Sequence, residues 1–208
     1  MDPERIVDSV FQVLVDGSKK DYIGEKISQL EHSLQAAAQA RQSNADEETI
    51  LAALLHDIGQ FATSPDQRQM LCNASELDPS LGPEEVSVGV KGHERIGAEY
   101  LRKLGFSDKV AQLVESHVAV KRYLTGKYPH YYEGLSNASK LSLKYQGGPF
   151  SMDEVHAFED DPLFQLKVNL RYWDDAAKVV GLVVPGLETY RTMAIQHLQK
   201  NKVMAFTV

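Results

Sequence analysis

Apolar residues recur at helical spacing along most of this chain. Ile6, Val7, Val10, Phe11, Leu14 and Val15 follow Pro3, a residue suited to a first helical turn, and predict a helix ending near Gly17. Asp21-Tyr22-Ile23-Gly24-Glu25 reads as a turn. Ser28 and Glu31 then form a capping box, opening a helix with Leu30, Leu34, Ala37 and Ala38 on one face. Asn44-Ala45-Asp46 caps a third helix, carrying Leu51, Leu54, Leu55 and Ile58 and stopping at Gly59. From Phe61 to Gly92 the period dissolves among Pro65, Pro79, Gly82, Pro83 and Gly89. A long loop is expected there, with at most a helical turn near Met70 and Leu71, and loops of this length are commonly lids or binding segments. Helical pattern resumes from His93 to Leu104 before Gly105, and again after Ser107. It continues over about 136–146, 151–158 (capping box Ser151 and Glu154), 163–180 and from 186 onward. Strand-like alternation is weak and confined to 179–184. The expected fold class is all-α: a single helical bundle over 1–208, its core about 22–180, with terminal helices packed on it.

Composition adds boundaries. The 208 residues are 43% hydrophobic and 25% charged, ordinary values for a globular chain. A net charge of -7 argues against a nucleic-acid surface, so an anionic ligand needs its own local cations. The lone Cys72 rules out an internal disulfide and suits a reducing compartment. With no secretory pattern at the start and no long apolar run, a cytoplasmic protein with no membrane or nucleic-acid partner is expected, as a monomer or homodimer.

The chemistry centres on His56-Asp57, delivered by an apolar helix immediately before Gly59. By itself such a pair could be a histidine favoured at a helix C-terminus. Three further histidines weigh against that: His32 near the start of one helix, His93 opening another and His117 on the next. Asp174 adds a second carboxylate. Imidazole with carboxylate suits iron, manganese or zinc better than calcium or magnesium. Six ligands exceed the need of one catalytic metal, whereas two metals bridged by Asp57 would use them all. Lys121 lies one turn beyond His117 and Arg171 one turn before Asp174, which sets a cation beside a ligand on each helix. Those two cations supply the anion cradle that an acidic chain otherwise lacks.

The order His32, His56-Asp57, Asp174 resembles the metal pattern of the HD-domain superfamily, with His93 and His117 as the extra ligands of its di-metal members. Flanking stretches narrow the likeness: Asp21–Glu25, His117-Val-Ala-Val-Lys121-Arg-Tyr, Leu135-Ser-Asn-Ala-Ser139-Lys, Gln146-Gly-Gly-Pro149 and Arg171-Tyr-Trp-Asp174-Asp. Together they resemble the HD-domain mixed-valent di-iron oxygenases that cleave the carbon–phosphorus bond of 1-hydroxyphosphonates. The resemblance implies a single HD domain with two irons, Fe(II)/Fe(III), and dioxygen as co-substrate. One iron would be held by His32, His56, Asp57 and Asp174, the other by Asp57, His93 and His117. Tyr22 would occupy the first iron until substrate arrives, with Glu25 nearby. Lys121, Ser139 and Arg171 would bind the phosphonate of a small organophosphonate, which would be converted to phosphate and a carboxylate.

Two departures bear on the substrate. Gln60 stands where members acting on 2-amino-1-hydroxyethylphosphonate carry a histidine, and 72–90 looks like additional sequence. The trimethylated analogue, 1-hydroxy-2-(trimethylammonio)ethylphosphonate, is therefore favoured, with glycine betaine as product in place of glycine. Tyr22, Tyr123, Tyr128, Tyr131 and Tyr132 are candidate walls for its quaternary ammonium. The rival reading is an HD phosphohydrolase acting on a nucleotide or phosphate ester through a metal-activated water.

Overall fold

A computed structural model describes residues 2–17, 26–62 and 68–205. Its elements run α1 (Pro3–Gly17), α2 (Gln29–Gln42), α3 (Glu47–Leu55), a 3-10 turn (Ile58–Gln60), β1 (Gln69–Asn73), α4 (Ala74–Leu77) and β2 (Glu85–Val90). There follow α5 (His93–Leu104), α6 (Asp108–Lys127), α7 (Pro129–Gly134), α8 (Asn137–Tyr145), α9 (Met152–Glu159), α10 (Phe164–Ala176) and α11 (Arg191–Ala205). The fold is all-α apart from one small antiparallel hairpin. Among the described residues no helix is long and apolar enough to cross a membrane.

The centre of the bundle is α3. Every residue from Thr49 to Leu55 is buried, so this helix has no solvent face and must be enclosed on all sides. Helices α2, α6 and α10 surround it, while α1 and α11 close the far side. The small side chains Ala37 and Ala40 of α2 and Ala52 and Ala53 of α3 share this core, letting two backbones come close. Larger residues fill the gaps, with Leu51, Leu54, Leu55 and Ile58 each contributing about 2 kcal/mol by leaving water.

Local signals set the boundaries of the helices. The Ser28–Glu31 capping box is formed, with Ser28 N donating to Glu31 Oε2 at 2.7 Å. Asp46, Ser107, Ser136 and Ser151 each accept at a helix N-terminus. Gly105 ends α5 in the left-handed region at φ 93°. Gly59 differs from the simple helix stop expected of it, since α3 ends at Leu55 and a 3-10 turn carries the chain onward. A Cβ at Gly59 would sit 1.9 Å from the His93 carbonyl oxygen and 2.6 Å from Gly97 N. Glycine is needed there for contact between backbones, and that contact draws Asp57 and His93 together.

The hairpin lies where a long loop was expected. Strands β1 and β2 pair antiparallel, with Leu71 opposite Ser87 and Cys72 opposite Val86. Met70, Cys72 and Val88 bury against Leu141 of α8, while Leu71 between them is exposed. The alternation is real but only a few residues long, and α4 with Asp78-Pro79-Ser80 separates its halves. Conversely, the weak strand signal at 179–184 forms no strand.

Candidate metal and anion site

Five elements deliver the six ligands expected from sequence, and the structure brings all six together. His32 comes from the second turn of α2, His56 caps α3 and Asp57 follows it; His93 begins α5, His117 is mid-α6 and Asp174 lies in the last turn of α10. None is more than 5% exposed. Each imidazole is held through Nδ1, which donates to a backbone carbonyl: His32 to Ala177 at 2.8 Å, His56 to Ala53 at 2.8 Å, His93 to Val90 at 2.9 Å and His117 to Val114 at 2.7 Å. A carbonyl can only accept, so all four rings carry their proton on Nδ1 and aim Nε2 as a lone-pair donor inward.

The aimed atoms gather in two groups. Nε2 of His32 and of His56 are 3.0 Å apart, and Nε2 of His93 and of His117 are 2.9 Å apart. Asp57 stands between them. Its Oδ2 lies 3.8 and 3.7 Å from Nε2 of His32 and His56, its Oδ1 3.3 and 3.6 Å from Nε2 of His93 and His117. Asp174 Oδ1 completes the first group at 3.3 Å from His32 Nε2 and 3.9 Å from His56 Nε2. Ligands bonded at roughly 2.1 Å to one ion are separated by about 3.0 Å at octahedral angles and about 3.4 Å at tetrahedral ones. Paired lone pairs at such separations repel unless a cation lies between them, so the donor set fits two metal ions sharing Asp57.

Electrostatics agree. Burial opposes ionisation of Asp57, but His56, His93 and His117 outweigh it and hold the carboxyl far below the usual range. Burial likewise opposes ionisation of Asp174, and Arg171 overcomes it. Burial disfavours charge on His32 and His93, yet the facing carboxylates raise both. Burial and the neighbouring His93 push His117 down to about 3.

Beside the ligands lies a cavity of about 60 Å³, bordered by Asp57, His93, His117 and Asp174 and by the buried cations Lys121 and Arg171. Lys121 Nζ donates to Ser142 Oγ at 2.8 Å, while burial and then Arg171 lower its pKa to about 7. Arg171 Nη1 donates to Asp174 Oδ2 at 2.7 Å, and the guanidinium stays charged because Asp174 and Asp175 outweigh its burial. A phosphonate-sized anion facing these two cations also faces the metal positions.

A chain with this geometry can be placed among known proteins. The "HD domain" family model matches residues 30–141, which hold His32, His56, Asp57, His93 and His117. The chain belongs to the HD-domain family. This HD-domain protein is 39% identical over 190 residues to a hydroxymethylphosphonate dioxygenase of Gimesia maris, covering 91% of the chain and 87% of the relative. It is 35% identical over 182 residues to a glycine-betaine-forming [1-hydroxy-2-(trimethylamino)ethyl]phosphonate dioxygenase of Leisingera caerulea, covering 88% and 85%. An uncharacterized protein of Acanthamoeba polyphaga mimivirus is 35% identical over 195 residues, covering 94% and 83%.

Other expected residues fall variously. Tyr22 and Glu25 lie outside the described residues. Ser139 has its hydroxyl against Ser136 Oγ, and the α8 hydroxyl at the cavity belongs to Ser142, one turn later. Tyr123 packs against Phe158 and Phe164 and donates to Glu159, Tyr128 and Tyr132 are exposed, and Tyr131 meets Arg171. None of these four tyrosines borders the cavity. Three carboxamides border it: Gln60 and Gln146, which the sequence singled out without a role at the site, and Gln29, which it did not. Gln29 precedes His32 by one turn, a spacing that could have marked it. Gln60 accepts from Val90 N at 2.8 Å through Oε1, tying the 3-10 turn to the end of β2.

Proposed function

We propose that this HD-domain protein uses dioxygen to cleave the carbon–phosphorus bond of a small 1-hydroxyphosphonate. For a substituent R, R–CH(OH)–PO3H2 and O2 give R–COOH and H3PO4, which balances with no other oxidant. His32, His56, Asp57 and Asp174 would hold one iron and Asp57, His93 and His117 the other, as an Fe(II)/Fe(III) pair. Bound iron supplies the redox chemistry with dioxygen and a positive centre for the substrate's oxygens. The chain's own residues do the rest. Lys121, kept in place by Ser142, and Arg171, kept by Asp174, bind the phosphonate oxygens and turn the hydroxyl-bearing carbon toward the metals. Burial of the ligand side chains keeps bulk solvent from competing for their donor atoms.

The single observation behind this reading is the meeting of two metal-binding groups and two buried cations at one cavity, in a chain whose relatives are named phosphonate dioxygenases. A phosphatase needs the metals and an anion site too, so the relatives carry the choice of oxygenation.

The described lining favours a substrate without the quaternary ammonium expected from sequence. The cavity's described lining residues include no phenylalanine, tyrosine or tryptophan, and its carboxylates are Asp57 and Asp174. A quaternary ammonium needs a cage or an uncommitted carboxylate, whereas carboxamides suit a hydroxyl or a hydrogen. Hydroxymethylphosphonate, giving formate and phosphate, is the preferred substrate. Iron-loaded protein should take up oxygen and release one phosphate per oxygen, fastest with hydroxymethylphosphonate, then the 2-amino and trimethylated compounds. Phosphate-ester hydrolysis without oxygen uptake would overturn the reading. Oxygen uptake fastest with the trimethylated compound would overturn this substrate preference alone.

A further inference from the structure

The guanidinium of Arg171 does more than face the cavity. Its Nη1 donates to Asp174, its Nη2 to Asp175 Oδ1, and its Nε to the Tyr131 hydroxyl at 2.9 Å. Tyr131 donates in turn to Asp175 Oδ2, so tyrosine, aspartate and arginine form a closed ring of hydrogen bonds. Burial, against the pull of Arg171, raises the Tyr131 phenol above its ordinary value and keeps it a donor. Arginine has five N–H groups. Three are committed to Tyr131, Asp174 and Asp175, which leaves one on each terminal nitrogen. Tyr131 and Asp175 border a groove on the outer side, whereas Arg171 and Asp174 border the cavity.

We propose that Tyr131 and Asp175 are positioning residues that clamp Arg171 from its solvent side, so that its two uncommitted N–H groups face the phosphonate before any substrate arrives. The proposal rests on the phosphonate reading above. A guanidinium anchored only by Asp174 could pivot about that one bond, and anion binding would then have to immobilise a rotamer-rich side chain. With the ring closed, that ordering is complete in the ligand-free protein. The same guanidinium also holds Asp174, so the clamp fixes the phosphonate pole relative to one metal position.

The test is a double-mutant cycle on the full-length, metal-loaded protein, with methylphosphonate as the probe and calorimetry as the readout. Tyr131→Phe keeps the aromatic side chain and removes the hydroxyl, and Asp175→Asn keeps the shape as a second variant should the first fold poorly. Each should weaken methylphosphonate by about tenfold, the worth of a charge-assisted hydrogen bond. KM for the hydroxyphosphonate should rise by a similar factor, with kcat within about twofold and metal content unchanged. In an Arg171→Gln background neither change should have a further effect. Equal losses with and without Arg171, or no loss while melting temperature falls, would overturn the proposal. Methylphosphonate binding needs no oxygen chemistry. Wild-type protein that binds it without oxygen uptake on hydroxyphosphonates therefore sinks the oxygenase reading alone, while the cycle still decides the clamp. Wild-type protein that binds no methylphosphonate overturns the clamp.

Discussion

The two halves of the site share Asp57 and differ in almost everything else. The half of His32, His56 and Asp174 is built on α2, α3 and α10, inside the alanine-rich core. It offers four donor atoms counting Asp57 Oδ2, and its second carboxylate is pinned by Arg171. The half of His93 and His117 offers three, counting Asp57 Oδ1, and leans on the 3-10 turn and the hairpin. Both of its imidazoles border the cavity, whereas His32 and His56 do not. One half thus has four protein donors and reaches the cavity through Asp174; the other has three and presents both of its imidazoles there. The asymmetry suits a centre whose two metal positions are unequal.

The most damaging change should be at the joint between the halves. Gly59→Ala places a methyl 1.9 Å from the His93 carbonyl, and both neighbours are backbone, so no rotamer can relieve it. Pushing the 3-10 turn off α5 should cost about 3 kcal/mol or more and separate Asp57 from His93. Denaturant unfolding measures the loss. A variant of unchanged stability would mean that the two backbones do not touch.

Ligand substitutions test how far the halves are independent. Asp57→Asn should strip both metals, since it removes the charge they share, replaces one of the two donor oxygens by an NH2 and leaves an amide among four histidines. His117→Ala should leave one metal per chain, in the half anchored by Asp174, and Asp174→Ala should leave one in the other half. Asp174→Ala should also cost stability, because the buried Arg171 loses a partner, an effect on the order of 3 kcal/mol. Metal analysis of the purified variants decides. Loss of both ions from His117→Ala would show a single cooperative centre.

Next in size is a pH effect that separates the cation pole from the metal poles. Lys121 titrates near 7 in the folded chain, below its ordinary 10.5. Between those values the unfolded chain binds more protons than the folded one, so this group makes stability rise with pH across the window. If Lys121 holds the phosphonate as proposed, binding needs the charged amine and should move the other way, weakening by about tenfold per unit above pH 7. Lys121→Met should flatten both trends. Affinity constant from pH 7 to 9 would remove Lys121 from the anion site.

Most of the helical frame was legible in the chain because caps and periodicity act locally. Ser28 with Glu31, Asp46, Ser107 and Gly105 each satisfy backbone groups within one turn of themselves. Histidines and aspartates could be grouped by their positions on those helices. The hairpin was hidden because Met70, Cys72 and Val88 alternate for only a few residues and bury against α8, far along the chain. Ser142 was missed for a similar reason. Its importance comes from Lys121 across the cavity, whereas Ser139 points back to Ser136 at its own helix start. Gly59 carried an ambiguous signal, since a helix stop and a close backbone approach both call for glycine, and only the position of α5 tells them apart.

The smallest expected effect bears on the open half alone. Gln60 Oε1 accepts from Val90 N, and Val90 O accepts from His93 Nδ1, so one carboxamide links the turn after Asp57 to the backbone that orients His93. Gln60→Ala would leave the Val90 N–H without this partner, a loss of about 1 kcal/mol. The hairpin's end would then be freer and His93 less firmly aimed. Metal affinity should fall in the His93 and His117 half while the Asp174 half keeps its ion. Gln60→Glu preserves an acceptor and should restore most of the difference. Stepwise metal titration of the two variants gives the answer, because a Gln60→Ala protein that loses affinity equally at both positions would show that the hairpin does not serve one half more than the other.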